Sequence, residues 1–216
     1  MEIEFVPWPK IPRLRRGMVI TEKIDGTNAA VGVISLDEEF AESIVRLGAP
    51  TPAKYVRISE LGPVLVYAQS RTRVISPDAD NFGFASWTHE NAAYLAHDLG
   101  PGIHFGEWWG SGIQRRYGLD HKRFSLFNTH RWGNQADGTA VPFLTPGLGV
   151  VPVITEHTFS ETEITKALDL LREQGSLAAP GFMQPEGIVV YLSAARQMFK
   201  VLLDNDEMPK GVKEAA

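Results

Sequence analysis

A lysine near the N-terminus stands where its amine could act as a nucleophile. Lys23 ends a strand-like run, and an Asp-Gly pair suited to a tight turn follows at Asp25 and Gly26, before a second strand-like run. A lysine amine becomes nucleophilic when it loses its proton, which is the basis of covalent catalysis by lysine. A hairpin alone would also explain this pattern, because Lys-x-Asp-Gly occurs by chance in roughly a few per cent of chains of this length.

Five later segments add side chains suited to nucleotide and phosphate contacts. In chain order they are Ser70–Arg73, Phe105–Gly110, Phe124–Asn128, Glu186–Val190 and Phe199–Val201. Each has a structural explanation of its own: Phe127 could be core, Arg71 a surface residue at a sheet edge, and Glu186 a polar strand start. If these purely structural explanations were correct, all the segments would have to occur in this order by coincidence. The ordered set is therefore stronger evidence for a nucleotide site than any single segment.

With the segment from Glu22 to Asn28, the ordered set resembles the covalent nucleotidyltransferase superfamily of DNA ligases, RNA ligases and RNA capping enzymes. The run Glu-Lys-x-Asp-Gly-Thr-Asn is most similar to that of the nick-sealing RNA ligases of phages and their relatives. The resemblance covers about residues 18–203. It implies an α+β fold with largely antiparallel sheets and flanking helices, an ATP-grasp-like adenylation domain. We expect one such domain over residues 1–216 and no C-terminal accessory domain.

The resemblance also implies a reaction and its cofactors. Lys23 would attack the α-phosphate of ATP, with Mg²⁺ or Mn²⁺, and carry AMP as a phosphoramidate. A free lysine amine, with a pKa of about 10.4, is mostly protonated at neutral pH. Burial, a bound metal ion and a second cation such as Lys200 each favour the neutral amine. AMP would then pass to a 5′-phosphate end, and a 3′-hydroxyl of RNA or DNA would displace it.

Roles for individual residues follow from the same resemblance. Glu107 would hold the ribose, Glu186 would orient a hydrated metal ion or the lysine, and Arg71 would contact ribose or the end phosphate. Phe127 would stack on adenine. The remaining nucleotide-binding candidates are Glu22, Asp25, Gly26, Asn28 and Lys200, and Lys23 and Lys200 are the catalytic candidates.

The last motif departs from the family pattern. The family offers two lysines separated by one residue, whereas this chain has Lys200 followed by Val201 and Leu202. One phosphate-contacting cation is therefore missing unless Lys210 or an arginine supplies it. We expect ATP handling or adenylate transfer to be slower for this reason.

Short strand-like runs must position these residues. They are 18–23, 28–35, 64–69, 102–109, 123–129, 187–192 and 197–203. A helix is predicted after Ser160, with Glu163 completing a capping box and Gly175 ending it. A second helix is predicted over 84–99, and residues 36–63 are interpreted as a connecting excursion. Strand alternation predicts that one of Trp108 and Trp109 is buried while the other lines a cleft.

Composition limits the protein class. A net charge of −5 is a poor global match to a polyanion, so nucleic-acid binding would need a local patch. Arg13, Arg15 and Arg16 form one candidate cluster, and a second is Arg115, Arg116, Lys122 and Arg123. The chain has no cysteine and no run of signal or membrane-span length, so we expect a cytoplasmic protein that makes no membrane contact. We also expect a monomer, and the resemblance to phage RNA ligases adds a virus or phage as an alternative source.

Three other functions stay open on the sequence alone. A minimal DNA ligase shares every motif and differs in whether the joined ends carry 2′-hydroxyls. A capping guanylyltransferase would prefer GTP. A non-catalytic nucleotide or nucleic-acid binding module that kept the fold is the third, and Leu202 is the feature that keeps it open.

Overall fold

The structure is a computed structural model that describes residues 3–48, 52–133, 142–204 and 206. Contacts concentrate in two compact units. Unit 1 comprises the described residues of Met1–Lys23, Pro152–Leu177 and Met183–Ala216, and unit 2 those of Ile24–Val151 and Ala178–Phe182. The expectation of a single domain stays a prediction. Among the described residues, no helix has the length and apolar character needed to cross a membrane.

Unit 1 is a four-stranded antiparallel sheet with one helix on one face. Its strands are β1 (Gly17–Lys23), β9 (Val153–Thr158), β10 (Gly187–Leu192) and β11 (Gln197–Leu202), in the order β11-β10-β1-β9. The helix is α5 (Glu161–Gln174). Alternate residues of β1 and β10 point to the same face and are buried with Ala167 and Leu171 of α5, which forms the core of this unit.

Unit 2 is a seven-stranded mixed sheet with helices. The strands are β2 (Thr27–Ser35), β3 (Lys54–Ile58), β4 (Gly62–Ser70), β5 (Val74–Ile75), β6 (Gly102–Gly110), β7 (Lys122–Leu126) and β8 (Leu148–Val150). Six of them follow the order β3-β4-β2-β6-β7-β8, with β5 paired to β4, and among these described strands only the β7–β8 pair is parallel. The helices are α1 (Glu38–Leu47), α2 (Phe84–Glu90), α3 (Ala92–Leu99) and α4 (Thr129–Trp132).

The main core of unit 2 lies on one face of this sheet. Ala29, Val31 and Val33 of β2 alternate along the strand, and they pack in one cluster with residues of β4, β6 and β7 and with Phe84 and Leu95 of α2 and α3. The opposite face of β2 and β6 carries Asn28 and Glu107, which are cross-strand partners. Helices α2 and α3 therefore cover the face of the sheet opposite to Asn28 and Glu107.

The α+β class with largely antiparallel sheets is confirmed, and all seven predicted strands are present. The strand predicted over 123–129 is shorter, because β7 ends at Leu126 and Asn128 caps α4 by accepting from the Arg131 amide. The predicted helix after Ser160 is α5, where the Ser160 hydroxyl accepts from the Glu163 amide at 3.4 Å. Helix α1 and strand β3 lie within 36–63, the segment interpreted as a connection.

The helix predicted over 84–99 is two helices, α2 and α3, separated at Asn91. The Asn91 side chain donates to the Trp87 carbonyl at 2.8 Å, and its backbone has φ −103° and ψ 14°. Asparagine competes in this way with the helix backbone, which explains a break that apolar spacing did not predict.

Candidate active site

The predicted nucleophile is hydrogen-bonded to the predicted metal ligand. Lys23, the last residue of β1, donates from Nζ to Glu186 Oε2 at 2.5 Å. Lys23 pairs directly with Gly187, the first residue of β10. Glu186, which precedes Gly187, therefore lies beside the end of β1. Both side chains are mostly buried, with 24% and 15% of their surfaces exposed. An ion pair in such a place orients the amine.

Gly187 is required between these strands. Its φ is +154°, and a Cβ there would lie 2.2 Å from the Val201 carbonyl oxygen. Gly187 pairs with Lys23 of β1 on one side and with Leu202 of β11 on the other, so no side chain of β10 stands between these two residues.

Lys200 lies on the same face of this sheet as Lys23. It pairs with Val189, which pairs with Thr21, two residues before the nucleophile. Residues that are directly paired, or two apart along a strand, point to one face, so Lys23, Lys200 and Leu202 share it. Leu202 therefore places an apolar side chain on the face where the family motif has its second lysine, and Lys210 lies outside the described residues.

Glu22 faces away from Lys23. Its side chain is on the α5 face of the sheet and only 1% exposed. Its carboxylate accepts from the Ser176 hydroxyl at 2.6 Å and from the Leu177 amide at 2.8 Å. These bonds satisfy a buried charge and hold the segment after α5 against β1.

Asp25 and Gly26 follow Ile24, the first residue of unit 2, and are held by side chains from later in the chain. The Asp25 amide donates to the Tyr117 hydroxyl at 2.7 Å, and Asp25 Oδ2 accepts from Arg115 Nε at 3.2 Å. The Gly26 amide donates to Glu107 Oε1 at 3.1 Å. A Cβ on Gly26 would lie 2.5 Å from the Trp108 carbonyl oxygen, so only glycine fits this turn.

The loop that supplies Tyr117 and Arg115 was not predicted from the sequence. Gln114, Arg116 and Tyr117 have positive φ values of +43°, +60° and +52°. Tyr117 is 2% exposed and packs against the rings of Trp109 and Phe182. A buried tyrosine usually finds a hydrogen-bond partner for its hydroxyl. The sequence signal for this loop was therefore weak: a tyrosine between two glycines, with nothing nearby to indicate its partner.

Of the other nucleotide-binding candidates of unit 2, Asn28 and Glu107 lie on the face of its sheet opposite to the main core. Asn28 is the cross-strand partner of Glu107, which pairs in turn with Ser125. Phe127 follows β7 directly, donates its amide to the Phe105 carbonyl at 3.0 Å and is half-buried beside the cluster of Ile24, Trp109 and Tyr117. Arg71 follows β4, whose last residue pairs with Ala29, and is exposed. The structure therefore brings Gly26, Asn28 and Glu107 together and places Arg71 and Phe127 at strand ends.

The expected contrast between Trp108 and Trp109 was wrong. Both are buried, at 2% and 1% exposure. Trp108 packs with Phe84 and Trp87 in the main core, whereas Trp109 packs with Tyr117 on the other face. Both faces of β6 are covered at this point, so strand alternation separates the two indoles without exposing either.

Carboxylates that could hold a metal ion are few. Among the described residues, no group of three or more histidine, aspartate and glutamate side chains is arranged as a ligand set. Magnesium bound with a nucleotide commonly takes one or two carboxylates and completes its shell with phosphates and water. Glu186 as a single carboxylate beside Lys23 fits that pattern.

Comparison with known proteins assigns the chain to a family. No curated protein sequence matches it. Two solved structures of Naegleria gruberi RNA ligase are similar at 13% identity over 88% of this chain: a mutant with ATP and Mn at a TM-score of 0.48, and an apo mutant at 0.47. The chain spans about half the length of these proteins, 51% and 50%. The family model described as RNA ligase matches residues 16–202, nearly the whole chain, and the protein belongs to the RNA ligase family.

Proposed function

We propose that this protein is an ATP-dependent polynucleotide ligase that joins 5′-phosphate and 3′-hydroxyl ends through AMP carried on Lys23. The observation that carries the proposal is the placement of Lys23 at the end of β1, beside Glu186 and on the same sheet face as Lys200. Membership of the RNA ligase family supports a ligase, and the choice of ATP and of a divalent metal ion is part of the proposal.

In the first step, Lys23 Nζ forms a bond to the α-phosphorus of ATP. The bond between the α-phosphorus and its bridging oxygen breaks, and pyrophosphate leaves with the electron pair. Glu186 accepts a hydrogen bond from the amine, so it holds the nitrogen in place and is the nearest carboxylate to receive its proton. A bound Mg²⁺ or Mn²⁺ would neutralise phosphate charge and favour the neutral amine.

Lys200 would contribute the fixed positive charge of this face. Its side chain is exposed and, within the described residues, forms no ion pair with a carboxylate. A cation that is not already paired can stabilise charge that develops on phosphoryl oxygens. Leu202 leaves this contribution to Lys200 alone among the positions of the last motif.

In the second step, an oxygen of the 5′-phosphate end attacks the adenylate phosphorus, and the bond to Lys23 breaks. In the third, a 3′-hydroxyl oxygen attacks the adenylylated 5′-phosphate, AMP leaves and the phosphodiester forms. The carboxylate of Glu107 and the amide of Asn28, on paired strands, are suited to the hydroxyls of the nucleotide sugar, and Phe127 and Arg71 are proposed for adenine and for ribose or end-phosphate contacts.

Covalent labelling tests the lysyl-AMP intermediate. Incubation of the protein with α-labelled ATP and MgCl₂ or MnCl₂ should transfer label to wild type, whereas Lys23→Ala and Lys23→Arg should take none. Lys54→Ala, which changes an exposed lysine at the start of β3, is the matched control and should label normally. Equal labelling of wild type and Lys23→Ala would refute the mechanism. Nucleotide binding without labelling would favour a non-catalytic module.

A sealing assay then identifies the ends. Nicked duplexes and single strands with RNA or DNA on each side of the junction should be joined by wild type and not by Lys23→Ala. Sealing that requires ribose at the 3′-hydroxyl end supports an RNA ligase. Sealing of all-DNA nicks at the same rate supports a DNA ligase, and labelling by GTP in preference to ATP supports a capping enzyme.

A further inference from the structure

The N-terminal arm, residues 3–16, carries a row of apolar side chains that the rest of the described chain does not cover. It has no helix or strand, and every residue is exposed. Trp8 is 85% exposed and Phe5 84%. Single exposed apolar residues are ordinary, whereas exposed apolar side chains that follow one another along a segment form a contiguous surface of the kind that marks an interaction site.

The arm is basic in an acidic protein. Glu4 is its single acidic residue, and its cations are Lys10, Arg13, Arg15 and Arg16, which makes a net charge of +3 against −5 for the whole chain. Within the described residues, none of these four cationic side chains has a hydrogen bond or ion pair. The arm therefore concentrates positive charge that complements a polyanion.

The second basic cluster does not offer the same surface, because most of its side chains already have partners. Arg115 pairs with Asp25, and Lys122 donates to the Phe82 carbonyl at 2.7 Å. Arg123 lies over the Trp109 ring at 5.5 Å and donates to the Ala178 carbonyl. Of the two clusters, the one in the arm has the cations available for phosphates.

Prolines keep the arm extended. Pro7, Pro9 and Pro12 each lack an amide hydrogen and have a fixed φ, which disfavours both a helix and a paired strand. A chain restricted to extended conformations loses less entropy when it binds. Arg16 is anchored, because its carbonyl accepts from the Phe159 amide at 2.8 Å directly before β1.

We propose that the arm binds a single-stranded part of the nucleic acid that is being joined, with bases stacked on Trp8 and Phe5 and phosphates paired with Arg13, Arg15 and Arg16. Stacking on aromatic side chains beside a basic track is how proteins bind single strands without sequence preference. This inference rests on the proposed function for its substrate class. The β1 strand separates the arm from Lys23 by roughly 20 Å, so the contact lies several nucleotides from the joined ends.

Binding measurements with arm variants test this contact. The aromatic variant is Phe5→Ala with Trp8→Ala, and the basic variant is Arg13→Gln, Arg15→Gln and Arg16→Gln. The matched controls are Phe40→Ala with Tyr94→Ala, two aromatics about half exposed on α1 and α3, and Arg46→Gln with Lys54→Gln, two exposed cations elsewhere in the chain. The probe is a fluorescent 5′-phosphorylated single-stranded RNA, measured by anisotropy across a series of salt concentrations.

The aromatic variant should bind the probe at least about tenfold more weakly than wild type. The basic variant should lower the slope of log affinity against log salt by about 2, since each lost phosphate contact on a single strand contributes about 0.7. Both should still take AMP on Lys23 at the wild-type rate. The control variants should bind like wild type.

The outcomes separate this inference from the proposed function. If both arm variants bind the probe with wild-type affinity and salt slope, the arm contact is overturned, even where Lys23 is still labelled. The exposed arm would then be a surface for a protein partner. Probe binding that depends on the arm in a protein that takes no AMP would support the contact and refute the ligase. A wild-type protein that labels but has no measurable affinity for the probe would also overturn the contact.

Discussion

Lys23, the last residue of β1, donates a hydrogen bond to Glu186, which directly precedes the neighbouring strand β10, although the two residues are 163 positions apart in the sequence. The pairing of Lys23 with Gly187 produces this contact, so the sheet register determines where the amine is held. The proposed nucleophile is therefore positioned by tertiary structure, and its Asp-Gly turn is held separately by Tyr117 and Glu107.

Replacing Glu186 should slow the first step. Glu186→Gln keeps the size of the side chain but removes its charge, so it should reduce the rate of covalent labelling by about tenfold or more. Single-turnover labelling with α-labelled ATP measures the rate. Glu156→Gln, at an exposed position of β9, is the control and should label like wild type; a normal rate in Glu186→Gln would contradict the assigned role.

Gly26→Ala should disable the turn after Lys23. The added methyl would lie 2.5 Å from the Trp108 carbonyl oxygen and 2.8 Å from Trp109 Cβ, so the main chain must move, at a cost of about 1–3 kcal/mol. Labelling should fall sharply, and thermal unfolding should begin at a lower temperature. Gly149→Ala, where the nearest atom is 3.9 Å away, should change neither measurement.

Tyr117→Phe removes the hydroxyl that accepts from the Asp25 amide. Because Tyr117 is buried, the amide would lose its partner, and the free energy of unfolding should fall by about 1–3 kcal/mol. We also expect slower labelling at saturating ATP, whereas loss of stability alone would leave the rate per folded molecule unchanged. Tyr94→Phe, on an exposed tyrosine of α3, is the matched control.

Leu202→Lys should accelerate the chemistry. The new cation would lie on the same face of β11 as Lys200 and would add positive charge for phosphoryl oxygens. The rate of labelling or of adenylate transfer to a 5′-phosphate should rise severalfold, and Leu202→Met should not change it. Unchanged rates in Leu202→Lys would mean that the missing lysine is not limiting.

Stability should depend on the titration of His104. Burial lowers the pKa of this histidine, and the positive charge of Arg131 lowers it further, although the Gly100 carbonyl bond opposes both. As the pH falls, a histidine whose pKa is lower in the folded state takes up its proton more readily in the unfolded chain, which stabilises the unfolded state. The contribution of neutral His104 to stability is therefore complete above the unfolded pKa of about 6.5 and is lost as the pH falls towards the folded pKa. Thermal unfolding between pH 8 and pH 5 should show this loss. His104→Gln should lose less stability over that range, while His157→Gln, an exposed histidine, should behave like wild type.

The strands that carry the proposed site were predictable because each is a short β-branched or aromatic run bounded by glycine, proline or aspartate. The ends of these strands were not, as Asn128 shows by capping α4 where the strand was predicted to continue. The loop with Tyr117 was also missed, since its hydrogen bond to Asp25 joins residues 92 positions apart and has no local signature. Periodicity predicts which face a side chain takes, but coverage of both faces of β6 depends on partners elsewhere in the chain.

Unit 1 is built from three separated stretches of sequence, and this has a consequence for biosynthesis. Strand β1 is made before its partners β9 and β10, which begin only at Val153 and Gly187. Pairings across such separations form slowly, because a long loop must close first. We expect β1 to stay unpaired during translation while the hairpin of β3 and β4 forms early, so that the contact between Lys23 and Glu186 forms only after β10 has been made.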